Sequence, residues 1–177
     1  MRLRVAPARA EARGRFARPL PAHRDSWGSG LACQINWWAP IFPLAPARTM
    51  WIWPDLFDQP LPNTAAEWDY DRVIAGGDPT YPLLPEIKGA PPTAGAPVMI
   101  EPGSILLFSA AHLHASVAAD PARARLSLDT RTAWPADDAA GRGAPLVDQP
   151  PGPARWDMFG RPTSGPETEI KRQGAAG

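Results

Sequence analysis

The chain has 177 residues and a formal net charge of zero, from 18 Lys and Arg against 18 Asp and Glu. This length fits one domain with a substantial core. A neutral chain has no overall field that attracts nucleic acid or anionic lipid, which disfavours those partners. The longest aliphatic stretch, 105–108, is far shorter than the roughly 18 apolar residues of a membrane helix. A single cysteine, Cys33, cannot form an internal disulfide and favours a reducing, cytoplasmic location.

Proline and glycine are abundant, with 24 and 15 residues, and this disfavours long helices. Eight tryptophans nevertheless supply large apolar surfaces for a core. We therefore expect a compact, loop-rich domain over 1–134 and a Pro/Gly-rich C-terminal extension over 135–177. Trp156 and Phe159 are candidate anchors of that extension. The arginine-rich first eighteen residues contain one acid and favour an edge strand or a frayed terminus over a targeting peptide.

Several segments have the two-residue alternation that is typical of β-strands. In 31–38, Gln34, Asn36 and Trp38 lie on one face, and Cys33, Ile35 and Trp37 lie on the other. Further strands are predicted at 49–53, 105–108, 113–117 and 124–130.

A capping-box pattern at 64–67, with Thr64 as N-cap, predicts one short helix that ends before Gly76. The Pro/Gly-rich stretch 76–97 that follows is expected to be a long surface connection. The pattern as a whole predicts a protein dominated by β-structure, a barrel or a sandwich, with one or two short helices.

Histidines and a carboxylate form a candidate metal site. His23 and Asp25 are two residues apart, so on an extended segment both side chains project to the same side. His112 and His114 follow an apolar strand, where a ligand is held rigidly, and the spacing alone does not choose between them. Two imidazoles and one carboxylate hold iron with coordination positions left open, as oxygen-activating chemistry requires. The simpler interpretation of His23 and Asp25 is a solvated polar pair in a loop.

Arg125 and Ser127 form a candidate anion site, because they are also two residues apart in a predicted strand. A guanidinium pairs with a carboxylate through two hydrogen bonds, and a nearby hydroxyl adds another. The pair therefore suits the distal acid group of a dicarboxylate ligand. A solvated feature of an edge strand is the simpler alternative.

The motifs follow one another along the chain as His23 with Asp25, the strands at 31–38 and 105–108, His114, and Arg125 with Ser127. In this order they resemble the motifs of iron(II)/2-oxoglutarate-dependent oxygenases, and most closely those of the phytanoyl-CoA dioxygenase-like branch. The resemblance covers about 23–132. It implies a double-stranded β-helix, a cupin-like jelly roll with one or two short helices, with Fe(II) at one end. His23 and Asp25 match the family's HxD motif. His114, followed by Ala and Ser, matches the distal ligand better than His112 does.

The resemblance further implies that Arg125, with Ser127, binds the tail carboxylate of 2-oxoglutarate. Arg123 is the competing arginine, and Arg131 is interpreted as a strand-end charge. If the amide face of the strand at 31–38 points inward, Gln34 and Asn36 are candidates for hydrogen bonds to 2-oxoglutarate or to substrate. Trp38, on the same face, is a candidate substrate contact. In the opposite arrangement Cys33, Ile35 and Trp37 form the core. Trp27 is a candidate for the substrate entrance, or else it fills space under a loop.

The expected function is a dioxygenase that uses Fe(II), 2-oxoglutarate and O2 to hydroxylate a small molecule, with release of succinate and CO2. One alternative is a cupin-type metalloenzyme that does not use 2-oxoglutarate. Another is a non-catalytic jelly-roll binding module. Only twenty-two residues precede His23, fewer than is usual in this branch, so we expect a barrel that lacks part of its outer support.

Overall fold

Two antiparallel β-sheets dominate the fold in a computed structural model, which describes residues 2–6, 19–116 and 123–160. The four-stranded sheet has the order β1, β7, β2, β5, which are Arg2–Ala6, Arg125–Thr132, Ile35–Pro40 and Leu106–Ser109. The three-stranded sheet has the order β4, β3, β6, which are Ala96–Pro97, Met50–Trp53 and Leu113–Ser116. The predicted dominance of β-structure is confirmed.

The predicted strands are found with shifted ends. β2 begins at Ile35 rather than at residue 31, because the chain turns first and the Gln34 amide donates to the carbonyl of Leu31 at 3.3 Å. The N-terminal residues form an edge strand, β1, which pairs with β7. The arginines at positions 9, 13, 15 and 18, Val117 and the tail after residue 160 lie outside the described residues.

The helices are short, and the described residues contain three α-helices rather than one or two: α1 (Ser26–Ser29), α2 (Tyr70–Ala75) and α3 (Pro135–Ala139). Single 3-10 turns lie at Pro46–Arg48, Pro54–Leu56, Ala65–Glu67 and Trp156–Met158.

The predicted helix before Gly76 is α2, but the predicted capping residue is wrong. Asp69 caps α2, because its side chain accepts a hydrogen bond from the Asp71 amide at 2.8 Å. Thr64 instead accepts from the Glu86 amide at 3.0 Å and ties two loops together. Gly76, in the left-handed conformation with φ 67°, ends the helix.

Apolar side chains pack on both faces of the three-stranded sheet. Between the sheets lie Trp38, Met50, Val98 and Phe108. On the other side of this sheet, Trp53 and Leu113 of its own strands pack with Trp27 of α1 and with Leu56, Leu61 and Ala65 from the connecting segments. The four-stranded sheet is different, since its outward face leaves apolar side chains exposed, including Leu3, Val5, Ile35 and Leu107.

The orientation of β2 follows from these layers. Asn36 and Trp38 are buried and point between the sheets, whereas Ile35 is exposed on the outward face. The alternative in which Cys33, Ile35 and Trp37 form the core is therefore wrong. Polar amides can point inward here because partners for their hydrogen bonds lie opposite them, as described below.

The chain after α3 returns along the surface as far as residue 160. The amide of Ala144 donates to the carbonyl of Ala32 at 2.9 Å, and that of Arg155 donates to the carbonyl of Ser29 at 2.8 Å. Trp156, one of the two expected anchors, donates to the Asp138 carboxylate at 3.2 Å. Within the described ranges, the structure contains no helix whose length and apolar character would suffice to cross a membrane.

Candidate metal centre

Backbone pairing brings His23 and His114 together, although they are 91 positions apart in the sequence. The extended segment at His23 lies antiparallel to β6, and the two residues exchange backbone hydrogen bonds of 2.9 Å in both directions. Their rings consequently lie side by side, with centroids 4.1 Å apart. Asp25 follows two residues later, at the start of α1, where its carbonyl accepts hydrogen bonds from the amides of Gly28 and Ser29.

The three side chains converge on one point inside the protein. The candidate ligand atoms of His23, Asp25 and His114 all lie within 4.8 Å of one another. Asp25 Oδ1 is 3.7 Å from His23 Nε2, and Asp25 Oδ2 is 3.9 Å from His114 Nε2. All three residues are buried. This is a compact set of two nitrogen donors and one oxygen donor.

Hydrogen bonds fix how both imidazoles face this point. His23 Nδ1 lies 2.7 Å from the carbonyl oxygen of Pro21, and His114 Nδ1 lies 3.0 Å from that of His112. Because a carbonyl oxygen can only accept, each Nδ1 carries the hydrogen and each Nε2 carries a lone pair. His23 Nε2 is buried and has no hydrogen-bond partner in the described part of the chain. A divalent cation would satisfy this atom, so the residues present fit a metal ion.

The charge states also suit a cation. Burial, together with the neighbouring His114, lowers the pKa of His23 to about 3, and burial lowers the pKa of His114. Both imidazoles are therefore neutral near pH 7, which is the form that coordinates metals. Burial opposes ionisation of Asp25, but Arg131, the two histidines and Asn36 outweigh it and lower its pKa to about 2. The carboxylate is consequently charged.

Asn36 and Gln34 position the carboxylate of Asp25. Asn36 Nδ2 donates to Asp25 Oδ2 at 2.7 Å, and Gln34 Nε2 donates to Asn36 Oδ1 at 2.8 Å. The amide face of β2 thus points inward, but toward the candidate metal ligand. Gln34 lies behind Asn36 and is not among the described residues that line the cavity, so a contact of Gln34 with substrate stays a prediction.

Arg125 forms the second buried polar group. Its Nη2 donates to Ser116 Oγ at 3.2 Å, and its guanidinium carbon lies 5.7 Å from the ring centre of Trp38. Its Nε and Nη1, and the hydroxyl of Ser127, are buried without hydrogen-bond partners among the described residues. Burial and the nearby Arg4 lower the pKa of Arg125 to about 10, so it remains charged at neutral pH. A buried cation with unsatisfied donors is costly, and an anion would satisfy it.

One cavity connects the two polar groups. Its lining includes residues of the metal cluster, Arg125 and the apolar side chains between the sheets, notably Trp38, Met50 and Phe108. The lining also includes Arg4, Asp129 and Arg131. The metal cluster and the Arg125 guanidinium therefore line the same cavity.

Other candidates from the sequence lie outside the cluster. His112 packs against Phe57, with ring centroids 4.5 Å apart, and is not part of it. Arg123 is exposed. Trp27 is only 2% exposed and its Nε1 donates to Asp148 at 2.8 Å, so it belongs to the core rather than to a substrate entrance.

The main residue that the sequence interpretation missed is Arg131. It is not an isolated strand-end charge, because its Nη2 lies 2.9 Å from Asp25 Oδ1. The signal was present in β7, where every second residue shares a face and Arg131 therefore shares one with Arg125 and Ser127. The sequence could not show that Arg131 lies close to Asp25. The Asp25 carboxylate reaches this face of β7 only through the packing of β2 and of the segment that contains His23 and Asp25.

Comparison with known proteins finds similarity among solved structures alone. No protein-family model and no curated protein matches the sequence. The backbone is similar to that of EvdMO1, with 16% identity, 75% of this chain and 26% of that chain covered, and a TM-score of 0.45. EvdO2 from Micromonospora carbonacea var. aurantiaca has 16% identity, with 74% of this chain and 50% of that chain covered and a TM-score of 0.47. The structure of EvdO2 complexed with 2-oxoglutarate has 15% identity, with 75% of this chain and 52% of that chain covered and a TM-score of 0.47.

The chain thus spans between 26% and 52% of the length of these proteins. At TM-scores of 0.45 to 0.47 the likeness of the backbones is partial.

Proposed function

We propose that the protein is an Fe(II)/2-oxoglutarate-dependent dioxygenase that oxidises a small molecule. The observation that carries this proposal is the pairing of two complementary sites in one cavity. A buried cluster of His23, Asp25 and His114 offers donor atoms for a cation, and the buried Arg125 offers unsatisfied donors for an anion. A dicarboxylate cosubstrate that also contacts the metal would satisfy both groups.

Each residue has a defined role in this proposal. His23 Nε2, His114 Nε2 and one carboxylate oxygen of Asp25 would hold the metal on one side and leave its other side open to the cavity. Arg125 and the hydroxyls of Ser127 and Ser116 would bind the distal carboxylate of 2-oxoglutarate. When bound, iron(II) with 2-oxoglutarate and O2 supplies an oxidant able to attack an unactivated C–H bond, with release of succinate and CO2.

The protein contributes orientation and exclusion of water. The hydrogen bonds from the two Nδ1 atoms keep both Nε2 lone pairs directed at the metal position. Phe108 stands edge-on to His114 at 5.0 Å and, with Trp38, forms an apolar wall that keeps water from this side of the cluster. Such a dry environment strengthens the electrostatic contacts inside the cavity.

The finer assignments are proposals of the same kind. We propose a jelly roll of the double-stranded β-helix type, similar to the phytanoyl-CoA dioxygenase-like branch, over 1–134, with 135–177 as an extension. We also propose a cytoplasmic location, for which the single cysteine is the support.

The test separates metal binding from cosubstrate binding. Purified protein is titrated anaerobically with Fe(II) and 2-oxoglutarate, and the visible charge-transfer band of the ternary complex is recorded. His114→Ala should abolish metal binding, whereas His112→Ala should retain it, because His112 lies outside the cluster. Arg125→Gln should keep the metal but weaken 2-oxoglutarate binding about tenfold or more, as expected for a lost charge-assisted pair.

Arg123→Gln is the matched control for Arg125, since it removes an exposed arginine two residues away. Succinate formation from 2-oxoglutarate should require added iron. The proposal is overturned if no charge-transfer band forms. Retained metal binding in His114→Ala, or equal effects of the Arg125 and Arg123 substitutions, would contradict the assigned residues.

A further inference from the structure

Charged side chains facing the cavity outnumber those that the metal and its cosubstrate require. β7 directs alternate residues inward, and these include Arg125, Asp129 and Arg131. β1 adds Arg4, which is opposite Ser127 in the ladder between β1 and β7. With Asp25, the cavity lining therefore contains three guanidinium groups and two carboxylates among the described residues.

The balance of these charges points to a further ligand. The lining alone has one excess positive charge. A divalent cation raises the excess to three, and the dianion of 2-oxoglutarate lowers it to one. Because uncompensated charge in a partly enclosed cavity is unfavourable, one more anionic group would complete the balance.

Arg131 is the guanidinium placed to receive that group. Arg125 is 3% exposed and lies deep in the cavity, whereas the side chain of Arg131 is 42% exposed. One nitrogen of its guanidinium contacts Asp25 Oδ1 at 2.9 Å, which leaves other N–H groups of the guanidinium for a ligand. Arg131 is also opposite Asn36 in the β2–β7 ladder, at the same end of the sheet as the metal cluster.

We propose that the substrate is an anionic small molecule whose carboxylate or phosphate group binds to Arg131 at the mouth of the cavity. The inference rests on the proposed function, because it counts the metal and 2-oxoglutarate among the charges. Arg4 adds to the positive field without being the primary contact. Binding at Arg131 places the rest of the substrate beside the ligand carboxylate of Asp25, and therefore next to the metal position.

The experiment uses three fluorinated probes of similar size: 4-fluorobenzoate, 4-fluorophenyl phosphate and the neutral 4-fluorobenzamide. The full chain is loaded with Zn(II), as a redox-inactive substitute, and with excess 2-oxoglutarate, and binding is followed by 19F NMR. At least one anionic probe should bind about tenfold more tightly than the amide. Arg131→Gln should remove this preference, and Arg123→Gln should keep it.

The relative affinities of the two anionic probes distinguish a carboxylate from a phosphate substrate. Equal binding of the amide and both anions, or an anion preference that survives Arg131→Gln, would overturn the proposal. The same titrations are repeated without Zn(II) and 2-oxoglutarate. If Zn(II) and 2-oxoglutarate fail to bind the protein, the proposed function is wrong. The effect of Arg131→Gln on probe binding in their absence then decides separately whether an anion site exists at Arg131.

Discussion

Asp25 is the residue on which the polar contacts of the cavity converge. Asn36 holds one of its oxygens at 2.7 Å and Arg131 holds the other at 2.9 Å, while both candidate histidine ligands lie within 4 Å. A carboxylate offers about four lone-pair positions, so these contacts leave room for a metal. Partners of this kind orient a ligand before the metal arrives, and they contribute to affinity without touching the ion.

Replacing Asn36 tests this orientation. Asn36→Leu keeps the size of the side chain but removes the hydrogen bond to Asp25 Oδ2. We expect affinity for Zn(II) or Mn(II) to fall about 10–100-fold, as is typical for the loss of an outer-shell partner. Isothermal titration calorimetry measures the effect.

The adjacent residue supplies the control for this substitution. Ile35 lies on the outward face of the same strand and is 37% exposed, so Ile35→Ala should leave metal affinity unchanged. Unchanged affinity in Asn36→Leu would show that Asp25 is held without Asn36.

At the scale of the element, β5 illustrates how one strand separates core from surface. Phe108 packs between the sheets with Trp38 and Met50 and stands edge-on to His114. Its neighbour Leu107 points the other way and is 50% exposed. Two adjacent apolar residues therefore have opposite environments, which depend only on the register with β2, where Asn36 is opposite Phe108.

Truncation of these two neighbours tests the register. Phe108→Ala should lower the free energy of unfolding by about 3–5 kcal/mol, because it leaves a cavity between the sheets. Leu107→Ala should change it by no more than about 0.5 kcal/mol, since the side chain is half in solvent. Urea denaturation measures both values, and a larger loss in Leu107→Ala than in Phe108→Ala would mean that β5 is shifted by one residue.

At the scale of the whole molecule, Asp148 connects the returning C-terminal segment to the metal-ligand segment. Its carboxylate accepts hydrogen bonds from Trp27 Nε1 at 2.8 Å and from the amide of Leu61 at 3.0 Å. It also forms an ion pair with Arg24, the residue between His23 and Asp25, at 3.0 Å. The side chains of Arg24 and Asp148 are only 0% and 6% exposed. The position of the ligand segment therefore depends on residues more than 120 positions away.

Removal of this carboxylate should be costly. Asp148→Ala leaves the Arg24 charge buried without its carboxylate partner, and we expect a loss of about 3–5 kcal/mol in the free energy of unfolding. Asp137→Ala is the comparison, because it removes an exposed ion pair with Arg142 and should cost about 0–1 kcal/mol. Thermal and urea unfolding give both values, and a small loss in Asp148→Ala would mean that the C-terminal segment is not needed to hold Arg24.

Local patterns in the chain were enough to predict most strands and the short helix before Gly76. The two-residue alternation of strands and the residues that form turns are signals that span only a few positions. They can therefore be recognised without knowledge of the rest of the fold. The same local geometry predicted that His23 and Asp25 project together, and the structure places their candidate ligand atoms side by side. The cap of α2 was not predicted correctly, because Thr64 is used by the distant Glu86 amide instead.

Alternation defines two faces of a strand but does not say which one is inward. For β2, hydrophobicity alone would bury Ile35 and Trp37, yet the buried face contains Asn36, because Asp25 and Gln34 satisfy its amide. The contact of Arg131 with Asp25 and the placement of His114 rather than His112 in the cluster likewise depend on segments that are distant in the chain. Residue order thus indicated most of the strands, the helix before Gly76 and which side chains share a face. Only tertiary packing decided which faces meet, since burying a polar group is favourable only where a partner from elsewhere in the chain lies opposite it.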